Sequence, residues 1–283
     1  MRVFGYGILV ASTLMYGLGV VAQSVAARRT TTRSAADLGL LVRLATDRLY
    51  LLGFAGQLGG FILAFFARAS LPLYLVQAGS CAAVGVAAVF GTVVLGWRIR
   101  VPEIIVLLTM ALGLVLLVGA STPSVAHDVS GALGVLMLVA LAVGAALIVP
   151  ATKAATAVPL AVLAGVQFSI VAVTGRAVAD ESVLDLPFDP LAWLLIAAAV
   201  AGQASLMFAL QRGPATSTVA SMDATSVVLA STVGLAVLGD QVAAGRQWWV
   251  VLGLALVVLG VLLFGAMLRK PTPVTFPATK EAV

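Results

Sequence analysis

Residues 103–120 read EIIVLLTMALGLVLLVGA, eighteen positions with a single charge, Glu103, at the first of them. A helix rising about 1.5 Å per residue needs about 20 mostly apolar residues to cross a hydrocarbon layer of ~30 Å. This stretch meets that demand almost alone, and eight others resemble it. Read outward from it, the apolar runs fall at 3–25, 49–67, 71–95, 103–120, 131–149, 155–175, 190–211, 214–238 and 247–268. The whole 283-residue chain is 62% hydrophobic and 10% charged, against roughly 45–50% and about 25% in ordinary globular chains. A soluble domain could not cover its exterior with so few charges. The composition excludes a soluble enzyme, a disordered regulator and a disulfide-stapled secreted domain. It predicts an all-α polytopic membrane protein of about nine transmembrane helices.

The charges lie between the runs. Arg28–Arg48 holds five arginines and two aspartates, too many to span. Leu38, Leu41 and Val42 set against Arg43 and Asp47 predict an amphipathic interfacial helix over 28–48. The tail 269–283, with three prolines, reads as a disordered cytoplasmic end. The first run ends in Ser24-Val25-Ala26, which resembles a leader-cleavage site. Only Arg2 precedes it and the arginines follow it, so it reads as an uncleaved anchor with the N-terminus outside. That threading puts twelve of the sixteen basic residues on the cytoplasmic side. Arg2, Arg68, Arg176 and Arg246 stay outside with the acidic segment Asp180, Glu181, Asp185 and Asp189. Such a bias is the positive-inside pattern of a cell-membrane protein.

Enzyme chemistry finds little here. The net charge of +5 is spread over short loops rather than gathered into a nucleic-acid stripe. One cysteine, Cys81, and one histidine, His127, exclude a disulfide framework, a cysteine cluster and a multi-histidine metal site. His127 and Asp128 read as solvated loop residues. There is no GxSxG, no HExxH, and none of Lys153, Lys270 or Lys280 follows a glycine as in a P-loop. The reading is no enzyme, no cofactor and no resident metal, with the lipid bilayer as surroundings. A homodimer is compatible with it.

The two halves echo each other. Ala55-Gly56-Gln57 returns as Ala201-Gly202-Gln203, each followed by an apolar stretch, an arginine (Arg68, Arg212) and a proline (Pro72, Pro214). Leu95-Gly96 returns as Leu238-Gly239, and LGLVLLVGA at 112–120 as LGVLLFGA at 259–266. The offsets are 146, 143 and 146–147. Four matches in one order, on helices of opposite direction, predict two inverted repeats, 1–120 and 121–268, meeting at a midplane site as in many secondary transporters.

The residues Pro72, Gln77, Leu95-Gly96-Trp97-Arg98, Gly213-Pro214-Ala215, Met222-Asp223 and Leu238-Gly239-Asp240, with the glycine-rich last run, resemble the drug/metabolite transporter superfamily of EamA type. The resemblance implies ten helices, five per repeat, and a Gly-acid turn in each half. Here the second half keeps that turn as Gly239-Asp240, while the first has Gly96-Trp97. A nine-helix layout with a charged early segment is similar to the NIPA-like magnesium-transporter branch.

Of 27 charged side chains, Asp223 alone falls deep within a run. It lies nine residues past Pro214, about 14 Å along a helix and near the centre of a ~30 Å core. An ionisable group at that depth costs at least ~2.5 kcal/mol on insertion scales and marks a functional site by default. It is a candidate proton carrier; the bland alternative is a protonated carboxyl bonded to a Gln or Ser. Thr216, Ala220 and Ser226 share its helix face, which admits a substrate or a close helix. Gln57, Gln167 and Gln203 sit mid-run and predict either a polar cavity or interhelical bonds. Tyr74, Gln77 and Cys81, at i, i+3 and i+7, could line a vestibule, with Tyr16 and Gln23 a weaker pair. Trp97, Trp248 and Trp249 read as interfacial anchors, and Gly56-xxx-Gly60 as a close helix contact.

The leading expectation is a secondary transporter moving a small metabolite or related solute through a cavity between the repeats. Divalent-cation (Mg²⁺) transport is an alternative from the same fold, served by Asp223, glutamine carbonyls and retained waters. A non-transporting scaffold, or a lipid-carrier flippase subunit in envelope assembly, is the alternative from another class.

Overall fold

The computed structural model describes residues 2–29, 47–95, 100–122, 130–153, 156–179, 186–210 and 215–267. Within them are nine α-helices and no strand: α1 (Arg2–Arg29), α2 (Arg48–Arg68), α3 (Leu73–Leu95), α4 (Val101–Ala120), α5 (Gly131–Ala151), α6 (Val158–Val178), α7 (Pro190–Leu210), α8 (Ala215–Ala236) and α9 (Gln247–Met267). Helices α2 to α9 are each long and apolar enough to cross a membrane; in α1, 28 residues long, the apolar stretch is the shorter Gly5–Gly19. Their outer faces carry exposed Leu52, Leu108, Val115, Leu136, Val200 and Val251, the side chains a bilayer would solvate.

The helix boundaries follow the apolar runs, with one correction. Arg28 and Arg29 belong to the last turn of α1 and Arg48 opens α2, so the ends of the segment expected over 28–48 lie in these two helices. No glycine or proline interrupts 20–29, and arginine is a good helix former, so α1 continues past its apolar part. Asp47 then starts α2: its Oδ1 accepts from the backbone N–H of Leu49 (2.8 Å) and Tyr50 (3.0 Å). Residues 30–46, the loop with His127 and Asp128, Trp97 and the tail lie outside the described residues.

The helices alternate in direction. The starts of α1, α3 and α9 meet the ends of α2, α4, α6 and α8 at one end of the bundle. There Tyr6 Oη lies 2.6 Å from Ser121 Oγ, Ala243 N–H donates to Ala120 O (2.9 Å), and Arg176 Nη1 donates to Leu71 O (2.7 Å). We call this the clamp end. Helix α1 packs on α2 and α3, α6 packs on α7 and α8, α4 pairs with α9, and α3 meets α8 at the centre. Helix α5 lies against α6 and α7.

Small residues make the tightest approaches. A Cβ on Gly113 would lie 2.8 Å from the carbonyl oxygen of Gly253, and one on Gly253 would lie 2.9 Å from that of Gly113. The α4–α9 pair is therefore closed backbone to backbone, as small-residue motifs allow in lipid. Gly56 and Gly60 do the same for α2 against Met15 and Ser12 of α1, where Ser12 Oγ also donates to Gly60 O (2.7 Å).

A candidate membrane-embedded site beside Asp223

Asp223 stands half-buried near the middle of α8. One turn along the same face, Ser226 Oγ receives a 3.0 Å hydrogen bond from Gln77 Nε2, which ties α8 to α3 across the centre. Cys81, one turn beyond Gln77, is buried on the same side of α3. Tyr16 stands midway along α1 yet keeps 41% of its surface exposed. A tyrosine on α1, an amide and a thiol on α3, and a carboxyl and a hydroxyl on α8 thus stand in the middle part of the bundle. The group can hold or pass a proton, or take hydrogen bonds and charge from a small solute; Asp223 has no ion-pair partner among the described residues.

A second polar cluster closes the clamp end, and sequence reasoning missed it. Arg176, at the end of α6, and Asp240, in the turn after α8, form a fully buried ion pair at 2.8 Å. Arg176 Nη1 also donates to the carbonyls of Arg68 and of Leu71 (2.7 Å), in the turn between α2 and α3. Asp240 Oδ2 accepts from Leu73 N–H at 2.6 Å, so it caps the start of α3. Gly239, at φ 71°, makes the turn that brings Asp240 there, and Asp240 N–H donates back to Gly234 O (3.0 Å). The signal in the sequence was the Gly-acid turn itself. Its partner lies 64 residues away, at the end of an apolar run, where an arginine reads as a loop charge.

The remaining expected residues spread out. Tyr74 is fully buried below the clamp, its hydroxyl 3.5 Å from Gln241 O, and lines no open space. Gln167 is fully buried in the α5–α6–α7 seam, where its Oε1 accepts from Ser205 Oγ (2.8 Å) and its Nε2 has no partner. Gln57 packs against Gly19 in the α1–α2 seam, and Gln203 is exposed on α7. The three glutamines thus pack in separate places. The reason lies in a glycine: Gly19 admits Gln57, whereas Gly165, 146 positions later, faces Met222 and Thr225 of α8. The Thr216 side chain lies outside the described residues. Trp249 packs on Gly119 and under the Arg246 guanidinium (4.8 Å). Among the described residues no three His, Cys, Asp or Glu side chains gather as metal ligands.

Two apolar grooves flank the centre. One, of about 330 Å³, runs between α1, α3 and α4 along Leu14, Val86 and Met110; the other, of about 520 Å³, runs between α6, α8 and α9 along Val166, Thr225 and Val258.

Helices of this length and apolarity, turning back on one another with a carboxylate at mid-depth, define a multi-pass α-helical membrane protein. No family model matches the sequence, and no curated protein or solved structure is significantly similar to it.

Proposed function

We propose that the protein is a secondary transporter of the drug/metabolite type, moving a small solute across the cell membrane past Asp223. The observation that carries this reading is the half-buried carboxylate in the middle of α8, one turn from the Gln77–Ser226 bond and with no ion-pair partner among the described residues. Buried ionisable groups within membrane spans are costly and are kept where ions or substrates pass.

The inverted repeat belongs to the same proposal, and the helix packing supports it. Counting α1 to α4 against α6 to α9, the α1–α2 and α1–α3 contacts have counterparts in α6–α7 and α6–α8. The α4–α9 and α3–α8 pairs each join a helix to its own counterpart. Ala82 and Ala111 in one groove answer Val228 and Val258 in the other, at offsets of 146 and 147. Gln77 and Asp223 are themselves 146 positions apart. The two halves then place different chemistry, an amide and an acid, at one symmetric position.

The decisive test is purified protein in liposomes with a metabolite panel and an imposed proton gradient. Wild type accumulates a solute, and Asp223→Asn, which keeps shape but cannot ionise, does not, while remaining folded. Wild-type accumulation by the Asn variant overturns the role of Asp223. Mg²⁺ flux without metabolite flux gives the divalent-cation reading instead, and no flux of either kind gives the scaffold. Orientation is tested by thiol labelling in cells carrying Cys81→Ser. A cysteine at exposed Ala244, at the clamp end, reacts with an impermeant reagent, and one at exposed Lys153 does not. The reverse pattern overturns the placement of the N-terminus outside.

A further inference from the structure

The geometry points to the Arg176–Asp240 cluster as a latch that holds the clamp end shut, so that the resting protein gives access to Asp223 from the opposite end only. This inference rests on the alternating-access reading for its use, although its test needs no solute.

Three observations carry it. First, the cluster ties segments that must part if a solute is to enter there. Arg176 and Asp240 come from the second half; the carbonyls of Arg68 and Leu71 and the N–H of Leu73 that they hold belong to the first half. Second, closure along α3 is graded. Every residue from Leu71 to Gly79 is buried, whereas between Ser80 and Val93 only Cys81, Ala83, Ala88 and Gly91 are. Third, the latch is one-sided in the sequence: where the repeat aligns Gly239 with Gly96, Asp240 falls on Trp97, so that position supplies no second carboxylate.

The chemistry suits a switch with two settings. While dry, each Asp240 oxygen has a partner, Arg176 Nη2 on one and the Leu73 N–H on the other, and a partial opening would leave a charge buried without its partner. Full separation lets water hydrate both groups. Intermediate openings are therefore disfavoured, and the end is either shut or open, as packed interfaces tend to be. Eight residues separate Leu73 from Cys81, about 12 Å along α3, so the latch stands two turns from the site it guards.

Cys81, the chain's one thiol, is buried in α3 one turn past the Gln77–Ser226 bond and reports access to the centre of the bundle. The experiment measures its reaction with a small charged thiol reagent applied to either side of sealed proteoliposomes of known orientation. In wild type, reaction from the end opposite the clamp is at least tenfold faster than from the clamp end. Asp240→Asn and Arg176→Gln raise the clamp-end rate at least tenfold and leave the opposite rate within twofold. Arg176→Lys, which keeps a charge but cannot reach all the same partners, falls between. Equal wild-type rates from the two ends overturn the latch without any variant having to fold. Variants that raise both rates together also overturn it, since that marks general loosening. A protein that moves no solute yet keeps the one-sided labelling refutes the transport proposal and leaves the latch standing.

Discussion

Asp223 and Asp240 belong to the same stretch of chain, and their surroundings differ in kind. Asp240 is buried with Arg176 at 2.8 Å on one oxygen and the Leu73 N–H at 2.6 Å on the other. Asp223 is half-buried, one turn from the Gln77–Ser226 bond, with no cation paired to it among the described residues. One carboxylate is used up by structure; the other is left available. A charge that is fully matched is evidence for architecture, and a charge held at depth without a match is evidence for a passing ligand. Substitutions can separate the two.

The largest effect on folding is expected at Arg176. Arg176→Ala strands Asp240 in a dry site, which costs about 3–5 kcal/mol; it should sharply lower the yield of monodisperse protein and the melting temperature in detergent. A melting curve like that of wild type would break the contrast. Asp223→Asn should lose concentrative transport while its melting midpoint stays near wild type, because the Asn amide can occupy the same half-accessible place. Loss of fold and flux together would make Asp223 structural, like its neighbour. Gln77→Leu removes the donor to Ser226, worth about 0.6–2 kcal/mol between membrane helices. It should shift the midpoint by a few degrees and lower flux several-fold. Gln203→Leu should do least of all, because that side chain is exposed on α7; an effect on flux equal to that of Gln57→Leu would restore the two as partners on one cavity.

Helix positions were legible because insertion is a local matter. The cost of transferring each residue into hydrocarbon is summed along the run, and the apolar runs match α1 to α9 to within a few residues, apart from the charged turns that lengthen α1 and α2. Asp223 was legible for the same reason, as a charge at helix mid-depth. Gly56 and Gly60 were read as a helix contact from their spacing, and both meet α1.

The partners of the polar groups were not legible. Arg176 looked like a loop charge because its position along α6 puts it at a helix end; only the meeting of α6 with the α2–α3 turn made it a buried clamp. The glutamines shared a depth but not a direction, since the rotation of each helix is set by which glycines let a neighbour approach. Sequence alone therefore determined that this chain is a bundle of membrane-length helices with one acid at its centre, because apolar length and charge depth are sums over neighbouring residues. Tertiary structure alone decided that, among the described residues, Asp240 has a cation and Asp223 has none, because a hydrogen bond is directional and these form between residues 64 to 167 positions apart.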